Sequence, residues 1–528
     1  MSGSIPVAME SVDARIERPA LEVKERGLLT IGVMLAMVMQ ILDSTVANVA
    51  LPNMQASLGA TLDTVTWVLT SYIIAAAVAT PMTGWLSDAL GSRRLFLMSI
   101  GSFIVASMAC GAATSLTEIV IYRFVQGAAG AFIGPLSQTA MLDINEPSRQ
   151  SRAMGLWGMG IMVGPILGPI VGGWLTENYN WRWVFYINLP IGLIAFGLIW
   201  WLLPSRPLSR RSFDLFGFSI LALALSALQL MLDRGTDQDW FHSTEIWIEA
   251  FVVISATWIF LVHSFTAKNT LFDRKMVTNP NMATSLVFMI IIGLMMMAIM
   301  ALMPPMLQRI YGYNVLDTGL LLAPRGIGIV SSMFIASRLM GRVDPRYLIM
   351  TGMIIAAGSM WQMTRWTLVM DWHPIVLSGV VQGFGMGMCF IPANAMAFAT
   401  LDAKYRTEGS SLINLFRSLG GSVGISIITA MLGANIQKSH EDLASHITAS
   451  SMSSVDPGTA DRFGVAGQAA MAMVNAEVNR QALMIAYLDD FKLIMFILIC
   501  ALPIILLLKP PKPTVGQPTG NAAEAMGH

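Results

Sequence analysis

Apolar residues in this chain come in long unbroken runs, not in the alternating or one-faced patterns of half-buried strands and soluble helices. A helix needs about 20 such residues to cross roughly 30 Å of hydrocarbon. Runs of that size fall near 28–51, 65–88, 95–113, 117–141, 152–175, 183–203, 214–232, 246–266, 282–303, 317–340, 346–366, 374–399, 409–436 and 487–508, predicting fourteen membrane helices. Two stretches stand outside them. Pro204 to Asp214, with Arg206, Arg210 and Arg211, reads as an inner linker, and Gln437 to Ala486, rich in Ser, Ala, Asp and Gly with a helix-compatible second half, as an outer loop.

Composition agrees with a membrane setting. Of 528 residues 55% are hydrophobic and only 12% charged, against about 25% charged in soluble chains. Lys and Arg exactly balance Asp and Glu at 32 each with no basic block, which removes nucleic-acid binding. Cys110, Cys389 and Cys500 all lie in apolar runs and read as small hydrophobes. With the N-terminus inside, twenty-one of the 32 Lys and Arg, among them Arg93, Arg94, Arg149, Arg152, Arg342 and Arg346, fall on the inner side and eight on the outer. That bias predicts an even number of crossings and both termini in the cytoplasm.

Enzyme chemistry finds no foothold. A Walker A loop needs Gly-Lys, a dipeptide absent from the chain. Gly420-Gly421-Ser422-Val423-Gly424 matches a nucleophile elbow but falls within a span, with no strand before it. The six histidines form no metal-binding cluster, so no catalytic or metal residues are assigned. A carrier or channel remains.

For such a protein, charges inside hydrocarbon are the main pointers, because each must face a cavity or a partner. Asp43 stands eight residues before the outer end of the first span and Arg123 six residues into the fourth, depths of about 12 and 9 Å at 1.5 Å per residue. Two readings are open: a static ion pair, or a carboxylate whose proton affinity changes as the arginine approaches and leaves. The fifth span carries Gly160, Gly164, Gly168 and Gly172 at four-residue spacing, with Pro165, Pro169 and Gly173 among them, a face that admits another helix to backbone contact. On the inner side Gly84, Asp88, Gly91, Arg93 and Arg94 form a tight, charged loop that could latch one state. Asn48, Gln126, Trp157, Met297, Gln382, Asn394 and Asn414 are candidates for the wall of a substrate cavity. The 40 methionines suit a pocket that accepts many apolar shapes, though most read as filler. No cluster of intramembrane carboxylates accompanies Asp43, which favours hydrophobic, neutral or weakly charged cargo over multivalent cations.

The string Gly84-x-Leu86-x-Asp88-x-x-Gly91-x-Arg93-Arg94 resembles the signature loop of the major facilitator superfamily, and the run from Gly160 to Gly173 resembles that superfamily's antiporter motif. Leu42 to Pro52, Arg123 with Gln126, Gly127 and Gly130, Trp181-Arg182-Trp183 and Asn188-Leu189-Pro190 are similar to fourteen-helix drug:proton antiporters of the EmrB/QacA type, and Leu228 to Gly235 with Asp239-Trp240-Phe241 to the EmrB branch. The resemblance implies an all-α major facilitator fold with two six-helix bundles and two linker spans. Its expected parts are a cytoplasmic tail at 1–27, the first bundle at 28–203, the linker at 204–270, five helices of the second bundle at 271–436, a periplasmic loop at 437–486, the last helix at 487–508 and a tail at 509–528. A degenerate copy of the loop, Gly341 to Arg346, marks the second half. The resemblance further implies proton coupling through Asp43 and Arg123, an outward-open state stabilised by Asp88, and multidrug efflux across a bacterial inner membrane, powered by the proton gradient without a cofactor. A same-fold exporter of one lipid-like, siderophore or bile-salt cargo is the alternative. An adaptor of the EmrA type and an outer-membrane channel of the TolC type are implied partners, with 437–486 the expected contact.

Overall fold

The structure is a computed structural model and describes residues 19–508 except 147–148, 206–207, 209–211, 341 and 448–464. Residues 1–18 and 509–528 of the expected tails, Arg206, Arg210 and Arg211 of the linker, and Gly341 fall outside the described residues.

Thirteen helices among them are long and apolar enough to cross a membrane: α1 Arg26–Leu58, α2 Trp67–Leu90, α3 Ser92–Ala112, α4 Leu116–Asp143, α5 Arg152–Asn178, α6 Trp183–Leu202, α7 Leu215–Arg234, α8 Thr244–Thr266, α9 Pro280–Arg309, α10 Asp317–Leu339, α12 Trp372–Ala399, α13 Arg406–Ser445 and α14 Met471–Leu507. The fourteenth, α11, is Pro345–Met363. Polar residues at the membrane boundary set where several begin. Ser115 caps α4 by accepting from Glu118 N, and Asn279 caps α9 ahead of Pro280, whose missing N–H costs nothing in the first turn. Between α2 and α3, Gly91 turns the chain at φ +89°, a conformation closed to other residues.

The helices form two bundles with one internal plan. In the first, α1 packs on α5 and α6, α2 on α4, and α3 on α4 and α6; adding eight to each number gives contacts of the second, α9 with α13 and α14, α10 with α12, and α11 with α12 and α14. This is a parallel internal repeat, one six-helix plan used twice. Close crossings rest on small residues, such as Gly293 and Gly420 between α9 and α13 and Gly328 and Gly383 between α10 and α12. The linker spans α7 and α8 pair with each other at the periphery, α7 against α2. Of α8 only Ile246 and Ala256 are buried, while Trp247, Phe251, Ile254 and Trp258 are exposed, as lipid contact requires.

Much of 437–486, expected as a loop, is helix. The helix of α13 runs for 40 residues to Ser445, and that of α14 already begins at Val465. Forty residues span about 60 Å, twice the hydrocarbon thickness, so these arms project outward beyond it.

Candidate functional site

Asp43 and Arg123 meet. Arg123 Nη1 donates to Asp43 Oδ2 at 2.7 Å, with Asp43 1% and Arg123 0% exposed. The other carboxylate oxygen accepts from Gln126 Nε2 at 2.8 Å and from Asn188 Nδ2, on α6, at 2.6 Å. Three donors converge on one carboxylate, which is the bonding pattern of its ionised, acceptor-only form. Arg123 is held in turn by Val68 O at 3.1 Å and Gln126 Oε1 at 3.0 Å, and its guanidinium lies 4.2 Å from the centroid of the Tyr72 ring. Asn188 is braced through Ser107 Oγ on α3, 2.9 Å from its Nδ2. Five helices therefore supply one polar knot inside the first bundle, sealed from both sides in this state.

Small residues bring those helices together. A Cβ on Gly127 would fall 2.3 Å from Tyr72 O, so only glycine lets α4 sit close enough to α2 for the Tyr72 ring to lie under Arg123. The glycine row of α5 lies on α1, the helix that carries Asp43. A Cβ would meet Ile41 at 2.4 Å from Gly164, Thr45 Oγ1 at 2.1 Å from Gly168, Met34 at 2.9 Å from Gly160 and Val46 at 3.2 Å from Gly172, while Gly173 faces open space. Thr45 Oγ1 donates to Gly164 O at 3.3 Å across the contact. The side chain of Pro165 is not described; Pro169 is half-buried within the same helix.

A second knot closes the inner end. On the inner half of α4, Gln138 Nε2 donates to Asn394 Oδ1 of α12 at 2.9 Å, and its Oε1 accepts from Ser410 Oγ at 2.6 Å and Asn414 Nδ2 at 3.1 Å, both on α13. Arg406 Nη1 meets Asp143 Oδ1 at 3.3 Å nearer the inner surface. Next to this latch Trp157 Nε1 donates to Ser137 Oγ at 2.9 Å and its ring stacks on Phe390 of the other half, centroids 6.3 Å apart. The charged loop joins the same seam: a Cβ on Gly84 would lie 3.1 Å from Glu408 Cβ at the start of α13. Arg93 Nη2 donates to Trp200 O near the end of α6, Arg94 is exposed, and Asp88 is half-buried at the end of α2. In the degenerate copy, Asp344 caps α11 by accepting from Arg346 N at 3.0 Å.

The seven residues expected on a cavity wall thus separate. Gln126 belongs to the carboxylate knot, and Trp157, Asn394 and Asn414 to the seam between halves. Asn48 is exposed on α1, Met297 is half-buried on α9, and Gln382 is buried with neither amide atom partnered among the described residues. The sequence reading missed Gln138, whose signal was a Gln inside a span, five residues before Asp143. It also missed Asp490 on α14, a further carboxylate inside the bundles, 0% exposed and with no hydrogen-bond partner on either oxygen among the described residues.

A two-bundle repeat, a buried ion pair in one half and a set of polar contacts across the seam define a membrane carrier built of two halves. Residues 33–432 match the model of the Major Facilitator Superfamily. The chain belongs to that superfamily and, within it, to the family of EmrB-type export proteins. It is 34% identical to the multidrug export protein EmrB of Haemophilus influenzae over 92% of this chain and 96% of that one, and 33% identical to EmrB of Escherichia coli over 94% and 98%. The fatty acid resistance protein FarB of Neisseria gonorrhoeae is 31% identical over 94% and 98%. Among solved structures the fold is similar to the human organic anion transporter MFSD10, with TM-score 0.57 and 13% identity over 90% of this chain and 99% of that one. It is also similar to a bacterial homologue of Spinster, with TM-score 0.52 and 16% identity over 92% and 98%.

Proposed function

We propose that this chain is a proton-driven exporter of varied hydrophobic toxic compounds in a bacterial inner membrane. It performs no covalent chemistry on its cargo, and the proton gradient is its energy source. The names of its EmrB relatives support the cargo class, and the Asp43 knot carries the coupling. In the inner-closed state the carboxylate is bonded as an anion to Arg123, Gln126 and Asn188. A proton arriving on Asp43 turns one acceptor into a donor and cancels the charge that holds Arg123, so α1, α4 and α6 lose their common anchor. Each proton crossing inward releases about 2.3 kcal/mol per 100 mV, enough to drive such a rearrangement.

The outward arms of α13 and α14 support assembly with a periplasmic adaptor of the EmrA type and, through it, an outer-membrane channel of the TolC type. A single dedicated cargo is the second reading, favoured by the likeness to a fatty acid resistance protein; growth-inhibition profiles of a deletion strain separate one compound from many. The coupling is tested in inverted vesicles with and without an uncoupler. Dye uptake should collapse with the uncoupler, and Asp43→Asn should lose gradient-driven uptake while still binding the dye. Full gradient response in Asp43→Asn would refute the role given to that carboxylate.

A further inference from the structure

Asp490 in the second bundle is buried as deeply as Asp43 in the first, but its surroundings are the reverse. Asp43 accepts from three donors and pairs with Arg123. Asp490 is 0% exposed, and among the described residues neither of its oxygens has a hydrogen-bond partner. Its neighbours on α14, Ala486, Tyr487, Phe491 and Ile494, are each at most 1% exposed, so the carboxyl shares the face that meets the other helices.

Those helices are α9, α11 and α13. At this end α9 carries Arg309, exposed, with Tyr311 and Tyr313 beyond it, and α11 is followed by Arg365, which stacks on the Trp361 ring at 3.7 Å. On α13 Arg417 is bonded to Asn414 at 2.8 Å, and Lys438, His440, Glu441 and Asp442 belong to the outer arm. On α14 itself Lys492 pairs with Asp489 at 2.8 Å and Arg480 with Glu477 at 3.0 Å, and Tyr487 lies one turn outward. None of these groups bonds to Asp490. An ionised carboxylate without water, donors or counter-charge costs far more than the neutral acid, so Asp490 holds a proton in this state while Asp43 does not.

Aromatic residues close the enclosure on the outer side. Trp366, just past α11, meets Phe491 edge-on with centroids 5.8 Å apart. Tyr311 donates to Thr367 O at 2.8 Å and lies 3.9 Å from Met484 Sδ, six residues or about 9 Å outward of Asp490. Trp366 Nε1 is buried without an acceptor among the described residues, a donor left over in the same cluster as a bare carboxyl. We propose that Asp490 is a second site for transported protons, loaded from the outer side past these aromatic residues and emptied once per cycle. The helix α13, on which α14 packs, also carries Ser410 and Asn414 of the inner knot, so opening that knot moves one wall of the enclosure. This rests on the export reading above and deepens it: two protons, one on each bundle, drive each cargo molecule.

Infrared spectra of the protein in liposomes at neutral pH read the resting proton. Subtracting the isosteric variant Asp490→Asn from the unaltered protein should leave a protonated-carboxyl C=O band, whereas subtracting Asp43→Asn should leave the bands of an ionised carboxylate. The transported proton is read from the limiting accumulation of ethidium in inverted vesicles, with the membrane potential clamped at zero and a pH gradient worth about 100 mV imposed. One proton fewer per cargo molecule should lower that ratio about 40- to 50-fold in Asp490→Asn, while Asp43→Asn loses gradient-driven uptake altogether. Ionised-carboxylate bands in the Asp490→Asn subtraction would overturn the proposal. So would an ethidium ratio in that variant equal to that of the unaltered protein, because the proton would then never leave. Should the unaltered protein accumulate no ethidium under the gradient, the export reading fails instead. The infrared subtraction then decides the site separately: the C=O band upholds a bound proton on Asp490, and carboxylate bands sink it.

Discussion

Gln138→Ala tests whether the inner knot is a latch or ordinary packing. The substitution deletes three bonds across the seam, at 2.6, 2.9 and 3.1 Å, and leaves Asn394 and Asn414 facing a gap. Ser410 keeps Pro135 O as an acceptor at 3.1 Å, and Arg406 keeps Asp143, so the seam is weakened without being abolished. At about 0.5–1.5 kcal/mol net per bond, the inner-closed state loses about 2–4 kcal/mol relative to a state with its halves parted. That shifts the ratio of the two roughly 30- to 1,000-fold, enough to change which one dominates. Nitroxides at Arg149→Cys and Arg342→Cys, both exposed at inner ends of opposite halves, report the opening by pulsed electron resonance. Only Cys500 needs replacing, because Cys110 and Cys389 are buried. The variant should gain a dominant longer distance that the unaltered protein lacks. Identical distance distributions would refute the latch and leave Gln138 as packing.

Three further outcomes follow from the geometry. Gly168→Ala puts a methyl 2.1 Å from Thr45 Oγ1 on a stiff β-branched side chain, so it should cost about 1–3 kcal/mol and slow transport, whereas Gly173→Ala, with open space beside it, should leave melting temperature and transport unchanged. Asp490→Asn should raise the apparent melting temperature, because it removes a buried carboxylate whose oxygens have no donors among the described residues, a penalty of about 1–3 kcal/mol; a lower melting temperature would mean that Asp490 is paired in the working protein. At the inner surface burial alone would raise the Asp273 carboxyl, but the Tyr405 hydroxyl at 2.7 Å, the backbone N–H of Lys275 and the nearby Lys404 charge outweigh it and hold it below the usual range. A depressed native value stabilises above the ordinary carboxylate range and is lost as pH falls through that lowered value. The melting difference between the unaltered protein and Asp273→Asn should accordingly be present near pH 7 and vanish in acid; a difference that grows in acid would contradict it.

The spans were legible because hydrocarbon leaves a helix few compositional choices, and the common depth of Asp43 and Arg123 followed from counting residues along two antiparallel helices. The partners of that pair were less visible. Asn188 comes from a helix 145 residues away from Asp43 in sequence, and nothing local marks its amide as a donor to that carboxylate. Depth also says nothing about azimuth, so Trp157, Asn394 and Asn414 looked like cavity wall when they face the opposite bundle at the seam. The outer segment 437–486 was read from its Ser, Ala, Asp and Gly content, which weakens a membrane helix more than an aqueous one. Solvated helix 437–445 continuing α13 was therefore hidden by the same composition that ended the apolar run.

The Asp43 knot and the inner latch share a helix. Arg123 and Gln138 both belong to α4, fifteen residues or about 22 Å apart, the first fixed to α1 and α6 through Asp43 and Asn188, the second fixed to α12 and α13. Between them the regular helix breaks at Ala131 and Phe132, with Gly127, Gly130, Gly134 and Pro135 around the break. A straight rigid rod would carry any displacement of Arg123 to Gln138 undiminished, whereas a break there lets the inner segment, gripped by the second half, tilt while the outer segment stays in the first bundle. α5 supplies the other link, since its glycine face holds α1 while Gly155 and Gly158 on its inner half lie against Ser337, Met333 and Phe390 of the second half. Under the proposed coupling, loss of the bond between Asp43 and Arg123 would free α4 relative to α1 while the glycine face of α5 still holds α1. Parting of the halves at the latch would therefore also have to open the contacts of Gly155 and Gly158, which flank Trp157 beside it.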